Sequence, residues 1–157
     1  MFGMSAIEAT PPNLASEANL VFAREIRRFL RWLRAFERTS HRSRRGISRW
    51  YKGEMFAVYC RCGTLGARLR GGNALCLASI DVDVSYRGKG FFASLVNALG
   101  SEPSLTFDRI EVESVINDRL AGWLARNGFQ RFGGTDALGE TGHSFQRKLA
   151  WPIPTSG

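Results

Sequence analysis

Cysteine is scarce in this 157-residue chain, and Cys60, Cys62 and Cys76 are an odd set, which argues against a framework of disulfides. Histidine is scarcer still. His41 and His143 lie far from the cysteines in sequence, so Cys60-x-Cys62 has no neighbouring imidazole to complete a metal site. Both thiols sit in an apolar run where alternate residues of a strand share a face; they read as core residues, and no metal is expected. No window approaches the ~18 to 20 consecutive apolar residues that span a bilayer, so no membrane partner is expected. An apolar signal core is also lacking at the N-terminus, and the expected compartment is a reducing cytoplasm. Apolar residues as such are plentiful, at 44% with 11% aromatic, which excludes a disordered chain and suffices for one domain with a real core.

Acidic residues are nearly missing from one stretch. Residues 24–52 hold 11 of the 22 lysines and arginines but only Glu25 and Glu37, whereas the rest of the chain is close to neutral. The net charge of +8 is therefore one basic segment on a near-neutral body, which argues against a uniformly cationic, histone-like protein. Within that segment Phe22, Ile26, Phe29, Leu30, Leu33 and Phe36 recur at helical spacing, with Ser16 as a candidate N-cap. The pattern predicts an amphipathic helix of five or six turns, followed by a basic loop over 39–52 that ends in Trp50 and Tyr51. Two readings of the basic segment stay open. Its arginines are the solvated side of a packed helix, or they form a footprint for nucleic acid or another acidic partner, with Trp50 and Tyr51 available for stacking.

Further along, residues 55–62 and 75–84 read as strands with a turn at 63–66 and a hairpin signal at Gly71-Gly72-Asn73. In the second, Ile80, Val82 and Val84 share one face, and Asp81 and Asp83 the other. A strand over 109–115, a helix over 117–126 closed by Asn127-Gly128, and short strands over 129–132 and 144–149 complete a mixed α/β order. Residues 1–15 are read as a flexible lead-in, 16–52 as the basic helix and loop packed on the core, 53–150 as the core and 151–157 as a tail.

The chemistry lies where strand 75–84 runs into Tyr86-Arg87-Gly88-Lys89-Gly90 and then a helix. Glycines without Cβ atoms let a phosphate approach main-chain amides at the positive end of a helix, and Arg87 and Lys89 add charge. The segment is neither a Walker loop nor a dinucleotide G-x-G-x-x-G. By itself it also fits a plain strand-to-helix connection with solvated charges.

Arg87-Gly88-Lys89-Gly90 is similar to the [QR]-x-x-G-x-[GA] acetyl-CoA loop of the GNAT N-acetyltransferases, and Asn117, Gly128 and Phe129 match that family's N-x-x-A-x-x-[LF]-Y-x-x-x-G-F signature. Over about 55–149 the chain resembles this family, small phage and bacterial members among them. The resemblance implies an α/β (α+β type) fold with a mixed central sheet, splayed between two parallel strands and flanked by helices, here with an N-terminal amphipathic helix. It implies acetyl-CoA as co-substrate, with Val82 and Val84 giving strand backbone contacts, Arg87, Gly88, Lys89, Gly90, Phe91 and Phe92 the phosphate loop, and Asn117 a place near the pantetheine arm. The acyl group would pass directly to an amine on a small molecule, a peptide or an RNA-linked acceptor. An alternative is a weak or inactive GNAT-fold module that binds an acidic partner through residues 24–52.

The chain departs from the family pattern in two places. Phe92 replaces a small residue in the loop, so its side chain must point away from phosphate. Leu124 stands where a tyrosine often protonates the departing thiolate, and leucine cannot donate; Tyr86 or water is the candidate substitute. For the general base, Glu113 is the first choice and Asp83 the second, with Asp81, Glu111 and His143 behind them. Alternating carboxylates are equally read as the solvated side of a strand.

Overall fold

The structure, a computed structural model, describes residues 14–43, 45–63, 73–115, 117–132 and 143–149. The expected hairpin around Gly71, most of the lead-in, the loop after Phe132 and the C-terminal tail fall outside the described residues.

Helix α1 spans Leu14–Arg42, eight turns rather than five or six, and Ser16 lies inside it rather than capping it. No proline or glycine interrupts 15–42, and the Thr39 and Ser40 hydroxyls donate to the carbonyls of Ala35 and Glu37, so these residues do not break the last turns. Its apolar stripe is buried as spaced, with Phe29 and Leu33 fully so. The segment expected as a basic loop is instead divided between the end of α1 and an edge strand, β1 (Ile47–Lys52). Only Tyr51 of that strand is buried, and its Ser and Arg content hides the strand signal from a sequence reading.

Strands β2 (Phe56–Cys62) and β3 (Ala74–Val82) follow, then a 3-10 turn at Val84–Tyr86 and helix α2 (Phe91–Ser101). After these come β4 (Arg109–Val115), α3 (Asp118–Arg126), β5 (Gln130–Phe132) and β6 (His143–Lys148). One six-stranded sheet results, in the order β1-β2-β3-β4-β6-β5, parallel only between β3 and β4. This is the mixed α+β architecture with an open sheet and an N-terminal helix that the resemblance implies.

Helices α1 and α2 cover the sheet face that carries Phe56, Val58, Cys60, Leu75, Leu77, Ile110 and Val112. Phe56 packs on both Phe29 and Phe91. Cys60 and Cys62 are buried in this core and unpaired. Two carboxylates anchor α1. Glu25 accepts from the Glu54 amide at 3.0 Å and from the Tyr51 hydroxyl at 3.4 Å, and Glu37 accepts from the Thr106 amide at 2.7 Å and from its hydroxyl.

The parallel ladder is short. Ala74–Leu77 pair with Arg109–Val112, after which both strands continue without pairing to each other. Each is irregular at that level. Ala78 is the extra residue of a bulge against β2, and Ser114 sits at φ 54° where the β4–β6 register shifts. Bulges bend and twist a strand, so this pair places the parting of β3 from β4 at the centre of the sheet.

Candidate functional site

The loop from Asp83 to Gly90 leaves β3 beside that gap. Strand β3 stops at Val82, so Val84 is not a strand residue as expected; it opens the 3-10 turn and is 74% exposed. The cause is Asp83, whose carboxylate accepts from the Ser85 amide at 2.9 Å and turns the chain. That bond, then the neighbouring Arg87 charge, holds the Asp83 carboxyl below its ordinary range. Arg87 also folds back on the loop, donating from Nε to the Val82 carbonyl at 2.7 Å and pairing with Asp81 at 3.1 Å. Part of its charge therefore serves to shape the turn.

Gly88 and Gly90 carry φ of +71° and +82°, a region where a side chain is strained, and nothing lies within 4 Å of a Cβ built on either. Gly90 is the N-cap of α2 and has no side chain to satisfy the first-turn amides, which are left facing open space at the positive end of the helix. Opposite stands the start of α3. Here Asn117 is the N-cap, its Oδ1 accepting from the amides of Arg119 and Leu120 at 2.9 and 3.2 Å. The two helix starts thus differ. One is capped from within, and the other is open.

Between them lies a cleft of about 490 Å³ lined by Val82, Tyr86, Gly88, Gly90, Phe92, Asn117, Arg119 and Trp123, among others. Of the expected donor-site residues, Val82, Arg87, Gly88, Gly90, Phe91, Phe92 and Asn117 meet there; Val84 and Lys89 are not in its wall. Phe92 turns edge-on to Trp123 with ring centroids 5.2 Å apart, which gives the bulky loop residue a seat away from the glycines. Leu124, next in the chain, is fully buried and serves the core. Arg119 was not legible as a site residue; its signal was a cation in the first turn after an Asn cap. Tyr86 also lines the cleft, and its ring packs edge-on against Phe22 of α1.

The candidate bases separate. Glu113 is the first β4 residue past the end of the parallel ladder and lies on the sheet face opposite α2. It accepts from Arg61 at 3.0 Å and lies beside the Cys76 thiol. Burial first, and then Glu113, push the Cys76 thiol up. Glu111 is fully buried and bound by Arg109 at 3.0 Å. His143 opens β6, and its side chain lies outside the described residues. Cys76, Glu111 and Glu113 could offer three ligand atoms to a cation, but the two guanidinium groups already match the two carboxylates. A larger hollow of about 630 Å³ at the far edge of the sheet is lined by Arg109, Gln130, Gln146, Arg147 and Lys148, with no open helix start.

No helix among the described residues is long and apolar enough to cross a membrane. No family model and no curated protein sequence matches the chain. Among solved structures it is similar to an acetyltransferase from Bacillus cereus ATCC 14579, at 15% identity over 66% of this chain and 73% of that one, with a TM-score of 0.41. It is also similar to a probable acetyltransferase, at 16% identity over 73% of this chain and 67% of that one, with a TM-score of 0.39.

Proposed function

We propose that the protein is an N-acyltransferase that takes an acetyl group from acetyl-CoA and passes it directly to an amine. The observation that carries the reading is the open start of α2: two left-handed glycines, empty space above them, and uncapped amides beside the point where two parallel strands part. An anion with several oxygens, such as the pyrophosphate of CoA, is what such a turn accommodates. Arg119 and Arg87 add charge from either side, and Val82, Leu120 and Trp123 offer an apolar wall for the rest of the cofactor.

In this reading the thioester reaches into the gap between β3 and β4, where the two strands no longer pair with each other. The amine nitrogen attacks the thioester carbon; a C–N bond forms, the C–S bond breaks, and CoA leaves as the thiolate. Glu113, at the mouth of the gap, takes the amine proton directly or through a water, and Arg61 fixes the carboxylate for it. Asp83 is the poorer base because its carboxylate is already spent on the turn. Tyr86, the tyrosine among the lining residues, is the candidate to return a proton to the thiolate.

A binding module without turnover is the second reading, favoured by the full burial of Leu124 where a proton donor is expected. Thiol release from acetyl-CoA across a panel of primary amines separates the two. Amine-dependent release that falls at least tenfold in Glu113→Gln supports transfer through Glu113. Saturable acetyl-CoA binding with no release for any amine would favour the module.

A further inference from the structure

The most concentrated charge on the molecule lies outside the cleft. Arg24, Arg27, Arg31, Arg34, Arg38 and Arg42 follow one another at steps of three and four along α1. At ~100° per residue they fall within an arc of about 80°, and at ~1.5 Å rise they form a line about 27 Å long. Five of the six are exposed and Arg34 is half-buried. The first four border, with Arg28, a shallow hollow of about 420 Å³. Of the helix's own carboxylates, Glu25 and Glu37 are turned into the core to hold Tyr51 and Thr106, and the exposed Glu17 lies seven residues before Arg24, beyond the end of the line. Glu54 and Glu102 come near only its edges, at Arg24 and Arg28 and at Arg34.

From this geometry we propose that the outer face of α1 is a docking surface for duplex nucleic acid, read through its phosphates and not its bases. Three features select that partner. The stripe is all arginine, whose planar fork matches phosphate oxygens. Laid across a major groove ~12 Å wide, a line of about 27 Å reaches the backbones on both sides. Among the described residues no aromatic side chain joins the stripe to stack single-stranded bases. Tyr51 is buried, and Trp50 projects from the far face of the sheet, where it packs on Tyr59. The stacking pair expected beside the basic segment is therefore divided between the core and the opposite face.

The test is fluorescence anisotropy of the full chain with a labelled duplex of arbitrary sequence, about two helical turns long, across a salt series. Four to five phosphate contacts give a slope of log K against log salt of about −3.6 to −4.5. Arg27→Ala/Arg31→Ala should lower that slope by about two and weaken binding at least tenfold at fixed salt, with the far-UV circular dichroism unchanged. Arg126→Ala, an equally exposed arginine at the end of α3, should change neither. The proposal is overturned by a slope near zero, by equal losses in the Arg126 variant, or by full binding in the Arg27/Arg31 variant. It is also overturned if poly-glutamate or anionic vesicles bind as tightly as the duplex at the same salt. Saturating acetyl-CoA should leave the duplex affinity unchanged; displacement would assign the phosphates to the cleft instead.

Discussion

Replacing Gly90 by leucine separates the binding role of the glycine turn from its part in folding. The residue sits at φ +82°, and a Cβ there would meet nothing within 4 Å, so the substitution costs the left-handed strain and no steric clash. That strain is about 1 to 2 kcal/mol for an L-residue. For a domain of this size it lowers the melting temperature by about 2 to 8 °C, which leaves the protein folded at room temperature. The side chain, however, extends into the space over the first-turn amides of α2. Losing a single charge-assisted amide–phosphate bond, at about 1.5 to 3 kcal/mol, weakens acetyl-CoA roughly ten- to 150-fold. Isothermal calorimetry on wild type and variant, beside a thermal melt of each, reads both effects. Unchanged acetyl-CoA affinity in a variant that melts as expected would refute the placement of phosphate on this turn.

Gly53 offers the opposite case. A Cβ at that position would lie 1.8 Å from Glu25 Oε1 and 2.9 Å from Tyr51 Cε1, so Gly53→Ala must displace a buried carboxylate from its two donors. The expected loss is about 2 to 4 kcal/mol in urea denaturation, and Glu25→Ala in the same background should recover part of it. Tyr51 itself is pushed up to about 12, by burial first and then by Glu25. The folded state holds that proton more tightly than the unfolded chain, so the contribution is intact below about pH 10 and is lost as pH rises towards 12. Urea midpoints for wild type and Tyr51→Phe should therefore converge over that range, and a constant difference would contradict it. Burial also pushes the thiols of Cys60, Cys62 and Cys76 up, so a disulfide exchange reagent at about pH 8 should label none of them in the folded protein and all three after denaturation.

Much of this was legible in the residues. The apolar stripe of α1 is buried at its expected positions, β4 occupies the expected Arg109–Val115, and the two glycines of the loop take the positive φ for which glycine is suited. These are local properties, fixed by spacing or by the lack of a Cβ. What escaped depends on partners distant in sequence. Strand β1 exists because β2 pairs with it and α1 covers Tyr51, while half of its own residues, Ser48, Arg49 and Lys52, are polar or charged. Asp83 reads as the next residue of an alternating strand, yet its carboxylate captures the Ser85 amide and ends the strand. The gap between β3 and β4 needs a bulge on each, and nothing in Ala78 or Ser114 marks one beforehand.

Amide chemical-shift mapping with acetyl-CoA tests the central claim most directly, because the molecule carries cationic surfaces outside the cleft that could take its phosphates. The proposed function predicts saturable shifts concentrated at Gly88–Ala93 and Asn117–Leu120, where the two helix starts face the cleft. Shifts confined to the arginine stripe of α1, or none with acetyl-CoA at several hundred micromolar, would contradict it.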